Sequence, residues 1–256
     1  MRRSAACAAV LLLAACDGGG GSETAAPSEQ AAEAPAEPEG PQPALSPEPI
    51  PNVLTLPADY PDTWFFAHDL NFNNALDGKI VILDAAAETR AYKGQLPSGV
   101  GTFAWSEPRG ELYVAETLHE LRVRGERRDI LVIYDTETLL PLTEVELPPK
   151  RYQGSPYKTA FMLTRNDKFA LIYNFTPAAS VTVVDLDTRA VASEIPIPGC
   201  AMIFPTGASG FSTVCGDGGL TTVTLDEAGA VAAEAQTDAF IDIDDDAMSL
   251  MSAEID

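Results

Sequence analysis

"ILVIYDTET", residues 130–138, is an apolar run that ends on an aspartate and turns over. The same figure occurs three more times, as "KIVILDAAAET" (79–89), "VTVVDLDT" (181–188) and "LTTVTLDEAG" (220–229). The corner aspartates are Asp84, Asp135, Asp185 and Asp226, at intervals of 51, 50 and 41 residues. Between them recurs a second unit of strand, polar turn and strand: "FAWSEPRGELYVAET", "FMLTRNDKFALIYNF" and "MIFPTGASGFSTVCG". Periods of about 40 to 50 residues with four short strands each mark the blades of a β-propeller. One stretch departs from strand patterning. "TLHELRVRGERR" (117–128) has the 3.6-residue period of an amphipathic helix and reads as an insertion within one repeat. The fold class is all-β, with about four blades between residues 58 and 256.

Ahead of the repeats the composition changes twice. Arg2 and Arg3 precede an apolar run, Ala5 to Leu13, too short to span a bilayer. The run closes on Leu-Ala-Ala-Cys at 13–16, which resembles the lipobox of bacterial lipoproteins. On that reading residues 1–15 are a signal peptide and Cys16 carries the lipid. Ordinary cleavage near Ala15, leaving a soluble protein, is the alternative. Residues 16–57 are rich in Pro, Ala, Gly and Glu, cannot bury a core, and read as a disordered tether. The expected location is the periplasm, with the membrane reached only through lipidated Cys16.

Export frames the cysteines. Of the four, Cys7 leaves with the signal and Cys16 takes lipid, so Cys200 and Cys215 remain in an oxidising space. Their spacing is neither a CxxC redox motif nor a CxxCH haem anchor. The only histidines are His68 and His119, which gives a zinc site no local ligand set. Two short strands flank "PTGASG" (205–210), and a hairpin centred on Gly207 and Ala208 sets Cys200 opposite Cys215. A structural disulfide is the expectation.

"ELRVRGERRDILVIYDTETLLPLTEVELPP" (120–149) resembles the heavy chain of methylamine dehydrogenase and its aromatic amine relative. The motif residues are Arg124, Gly125, Arg127, Asp129, Tyr134, Asp135, Thr138, Leu139 and Pro141. Residues 175–220, with both cysteines and the Phe-Pro-Thr between them, resemble it too. The resemblance implies a seven-bladed propeller without a cofactor of its own. It implies a heterotetramer of two heavy chains and two small cysteine-rich light subunits, the light subunit carrying tryptophan tryptophylquinone. It implies, too, that primary amines are oxidised to aldehyde and ammonia and that electrons leave to a blue copper protein such as amicyanin. No catalytic residue is expected in this chain. By the same resemblance Phe72, in "WFFAHDLNFNN" (64–74), lines the substrate channel, with a blade-core aromatic as the competing reading. Trp64 and Trp105 are expected in the blade cores. Seven blades need about 350 folded residues, so the chain reads as truncated, completed by another chain, or closed with four blades.

Other chemistry is thin. "DIDDDAMSLMSAEID" begins like a calcium loop but has Ala247 at the sixth position and Ala253 at the twelfth. No GxSxG and no phosphate loop occurs. A formal charge of −22 argues against nucleic acid. The RGERR cluster (124–128) is the local basic exception, either a docking patch or a solvated loop end. A tethered propeller that binds a ligand without redox activity is the second functional class.

Overall fold

The computed structural model describes residues 54–71 and 77–246. Contacts divide the chain at Pro51, and the description concerns the unit that follows. Among the described residues, fifteen strands form four antiparallel sheets, each a simple meander. Sheet one holds β1 (Trp64–Asp69), β2 (Lys79–Asp84) and β3 (Tyr92–Pro97). Sheet two holds β4 (Thr102–Ser106), β5 (Glu111–His119), β6 (Arg127–Asp135) and β7 (Pro141–Leu147). Sheet three holds β8 (Phe161–Leu163), β9 (Phe169–Asn174), β10 (Ser180–Asp185) and β11 (Ala190–Pro196). Sheet four holds β12 (Cys200–Pro205), β13 (Gly210–Cys215), β14 (Leu220–Leu225) and β15 (Val231–Gln236).

The sheets stack face to face in chain order, and strand alternation assigns each side chain to one neighbour or the other. Along β5 and β6, Leu112, Val114, Ile130, Val132 and Tyr134 pack with Ile80 and Leu96 of sheet one. The intervening Tyr113, Ala115, Leu131 and Ile133 pack with Phe161, Ala170 and Ile172 of sheet three. Sheet three repeats the pattern, sending Phe169, Leu171 and Tyr173 towards Ile203, Phe211 and Val223 of sheet four. A sheet buried on both faces needs apolar residues at consecutive positions. That is why the central strands read as continuous runs. The architecture is all-β, four sheets in sequence, and consistent with part of a β-propeller.

The corner aspartates have a common job. The Oδ1 of Asp84 accepts from Ala86 N at 3.0 Å, that of Asp135 from Thr138 N at 2.7 Å, and that of Asp185 from Thr188 N at 2.8 Å. Asp226 does the same for Ala228 N and Ala230 N, at 2.8 and 2.9 Å. Each carboxylate closes its own turn, which is what an aspartate offers a tight reversal. A register shift stands just ahead of every corner, at Ile82/Leu83, Ile133/Tyr134, Val183/Val184 and Thr224/Leu225. The shared shift shows that β2 is the counterpart of β6, β10 and β14. Sheet one therefore has no strand in the place of β4, β8 and β12 among the described residues.

One expectation fails. Residues 117–128 are not helical: β5 runs on to His119, β6 starts at Arg127, and the two pair through His119↔Arg127. Glu120–Glu126 form the tip of this long hairpin. Its tip carries positive φ at Arg122 (71°) and Gly125 (91°), values a right-handed helix excludes. A Cβ on Gly125 would lie 3.1 Å from Glu120 Cβ, so the tip closes only around glycine. Residues 242–246 form a turn in which Asp242 Oδ1 accepts from Asp244 N at 3.0 Å.

Candidate functional site

The β1–β2 and β5–β6 connections lie at the end of sheets one and two opposite the aspartate corners. The β1–β2 connection, the β5–β6 hairpin tip and the segment after β7 meet there: Asp77 and Arg122 line one cavity, and Arg151 reaches back to Val100 O at 3.2 Å. Phe72 belongs to the β1–β2 connection but lies outside the described residues, as does Cys16. Cys200 and Cys215 are opposite each other on β12 and β13 and joined as a disulfide, with Cα atoms 3.8 Å apart. The register there is less simple than a single hairpin centre. Near the tip Phe204 pairs with Ser212 and Pro205 with Phe211, whereas Ala201 pairs with Val214. An irregularity at Met202 (φ 67°) and Ile203 takes up the one-residue difference.

The Arg-Gly-x-Arg-x-Asp segment builds a buried node at the base of the hairpin. Arg127 and Asp129 stand two apart on β6 and so share a face. Arg127 grips Asp129 through Nε to Oδ1 (2.9 Å) and Nη2 to Oδ2 (2.7 Å), a forked charge-assisted pair. Thr117, directly across the ladder, donates Oγ1–H to Asp129 Oδ1 at 2.7 Å. The backbone N–H of Arg151 donates to Oδ2 at 2.8 Å. All of Asp129 is buried. The Arg151 guanidinium is buried beside it and donates to Thr117 Oγ1 (3.2 Å), Tyr152 O (3.0 Å) and Val100 O (3.2 Å). Burial pushes its pKa down to about 10, against the opposing pull of Asp129, so it is charged at neutral pH. The rest of the motif is architectural. Tyr134 fills the core beside sheet one, Thr138 receives the Asp135 cap, Leu139 (φ 56°) turns the corner, and Pro141 opens β7.

Above the node is a cavity of about 420 Å³ lined by Asp77, Gly99, Val100, Glu116, Thr117, Leu118, His119 and Arg122. Glu116 follows Leu112 and Val114 on the same face of β5, where the apolar core gives out. Burial lifts its pKa from 4.5 to about 6, with Arg151 opposing the shift and Glu144 adding to it. The folded protein therefore favours the neutral acid. Stability from neutral Glu116 is complete below about pH 4.5 and is lost as pH rises through 6. Glu116→Gln stays neutral and should gain on the wild type by about 1 to 2 kcal/mol between pH 4.5 and 7. Urea titrations across that range test this, and parallel stability curves would refute it.

A second cavity, of about 650 Å³, opens between β1, β4 and β8. Phe65, Phe66, Phe103, Trp105 and Phe161 wall it. His68 lies on its edge, Nε2 3.1 Å from Ser98 Oγ, with its pKa lowered by burial against the pull of Asp69. Tyr60 stacks on Trp105 at 5.8 Å and meets Trp64 at 5.1 Å, so both tryptophans belong to one aromatic packing cluster. Among the described residues no three of His, Cys, Asp and Glu are grouped to hold a metal ion. The node, Arg151 and Glu116 were not singled out by the sequence as a site. For Glu116 the available signal was a glutamate on the apolar face of a strand, and for Arg127 and Asp129 their place in the Arg-Gly-x-Arg-x-Asp motif.

Residues 98–252 match the family model described as methylamine dehydrogenase heavy chain. The heavy chain of Methylophilus methylotrophus is 33% identical over 118 residues, 46% of this chain and 29% of that protein. That of Paracoccus versutus is 36% identical over 110 residues, covering 43% and 26%. That of Methylorubrum extorquens is 38% identical over 114 residues, covering 43% and 27%. The matched stretch thus spans between a quarter and a third of each of these relatives. Among solved structures, BamB from Moraxella catarrhalis overlaps loosely, with a TM-score of 0.43 at 16% identity over 71% of this chain and 47% of that one. The family match extends over more than half of the sequence and contains the whole Arg127–Asp129–Arg151 node. The chain belongs to the methylamine dehydrogenase heavy-chain family.

Proposed function

We propose that this chain serves as the heavy, β-propeller subunit of an amine dehydrogenase that oxidises primary amines to aldehyde and ammonia. The family match over residues 98–252 carries this reading. In it, the cofactor is tryptophan tryptophylquinone on a separate light subunit, which supplies the electron sink, and a blue copper protein such as amicyanin takes the electrons away. The assembly is two heavy and two light chains, each heavy subunit of this type being a seven-bladed propeller. The present chain contributes the scaffold and, at Phe72, one wall of the amine channel. Its place is the periplasm, held to a membrane through lipidated Cys16.

The test is reconstitution with a light subunit of this family from the same genome. The chain alone should oxidise no amine, the pair should oxidise primary amines, and Phe72→Ala should reorder a series of amines by length. Pocket size is read at roughly 1 to 3 kcal/mol per methylene. Amine oxidation by the chain alone would overturn the heavy-subunit reading. An inactive pair would favour a tethered binding module. An amine ranking unchanged in Phe72→Ala would take Phe72 out of the channel. Fractionating the same cells reads the anchor: Cys16→Ser should move the chain from membranes to the soluble periplasmic extract.

A further inference from the structure

We propose that the tip of the β5–β6 hairpin is a docking element, and that it grips a partner surface whose apolar cleft is rimmed by carboxylates. The proposal rests on the heavy-subunit reading and takes the light subunit as that partner.

Three aliphatic side chains stand in solvent at this hairpin: Leu118 is 42% exposed, Leu121 56% and Val123 71%. Interleaved with them are Arg122 and Arg124, which form no ion pair among the described residues. Arg128 has only a long contact, 3.9 Å, to Glu144, with both side chains about half exposed. The cluster belongs to a chain with 38 acidic and 16 basic residues. Counting Glu120 and Glu126 against Arg122, Arg124 and Arg128, the tip region keeps one positive charge, which in so acidic a chain still favours an acidic surface.

A solvated loop end would carry the same charges on a mobile backbone. This tip is braced instead. Glu120 N donates to Glu126 O at 3.0 Å, Leu121 N to Arg124 O at 2.9 Å, and Arg122 N to His119 O at 3.1 Å. Gly125 packs onto Glu120, and the buried Arg127–Asp129–Arg151 node holds the hairpin base to the segment after β7. A preorganised element loses little entropy on binding, and exposed arginine beside apolar surface is the usual composition of an interface hot spot. The node thus explains why a motif with no catalytic residue would be built so firmly: it aims the tip.

The experiment is isothermal titration of the full chain with the light subunit used for reconstitution. Wild type should bind, more weakly as salt is raised. Arg122→Glu/Arg124→Glu should lose roughly thirtyfold or more in affinity, and Val123→Asp roughly tenfold. Both variants should keep the wild-type thermal midpoint, since none of the three side chains packs in a core. Arg90→Glu, at a corner on the opposite end of sheet one, should bind as wild type does. Wild-type binding with both tip variants within about threefold of it would overturn the docking assignment and leave the heavy-subunit reading standing. No binding by wild type would overturn both.

Discussion

Asp129→Ala should destabilise the folded domain by about 3 to 5 kcal/mol, the cost of removing one partner from a buried ion pair. Four hydrogen bonds disappear with the carboxylate: two from Arg127, one from Thr117 and one from the Arg151 backbone. More costly is what stays behind. Arg151 is only 3% exposed, and its guanidinium would keep neutral acceptors without the negative charge that offsets its burial. Glu116 could supply part of that charge only by ionising against its own burial. The exposed Arg128–Glu144 pair gives the scale, since such pairs are worth about 0 to 1 kcal/mol. Asp129→Asn keeps one acceptor and the side-chain shape, and should fall between Ala and wild type. Urea unfolding measures all three, and a loss below about 1 kcal/mol for Asp129→Ala would show that the node does not hold the hairpin.

The repeat was legible because corner chemistry is local. An aspartate that caps its own turn leaves the same mark at Asp84, Asp135, Asp185 and Asp226, however the blades drift between them. The two-faced burial of the central sheets was legible too, as uninterrupted apolar runs. The helical pattern at 117–128 differs from the hairpin for a physical reason. Leu118 and Leu121 fall three apart and imitate one face of a helix, yet both are exposed, so no core selected that spacing. The informative residues were Gly125, needed for its positive φ, and Asp129, which must face Thr117 across a ladder. Arg151 left no trace in the sequence. It lies in a connection with no repeat partner, 22 residues beyond Asp129, and only the packed structure brings the two together. Three strands in sheet one rather than four were equally hidden, because the missing counterpart of β4 is defined by register and not by composition.

Replacing Cys200 and Cys215 together by Ala should cost about 3 kcal/mol, the chain-entropy value for closing a loop of about fifteen residues. Their separation in the chain is 15. The strand they secure has little else in its own sheet: among the described residues β12 pairs only with β13, through four residue pairs interrupted at Met202 and Ile203. Yet β12 also brings Ile203 into the core shared with Phe211 and Val223, so its detachment would open sheet four from the inner side. Two mechanisms predict different unfolding curves. If the disulfide acts by restricting the unfolded chain, the double variant unfolds to a more expanded state, and the urea m-value rises as the midpoint falls. If it acts by holding β12 onto β13, the folded form loosens first, and the m-value falls with the midpoint. The chain-entropy account requires the first pattern. For a domain of this size the expected fall in Tm is on the order of 10 °C. Dithiothreitol on the wild type should reproduce it and leave the double variant unmoved. A loss below about 1 kcal/mol would mean that the bulged ladder and the core hold β12 without the cross-link.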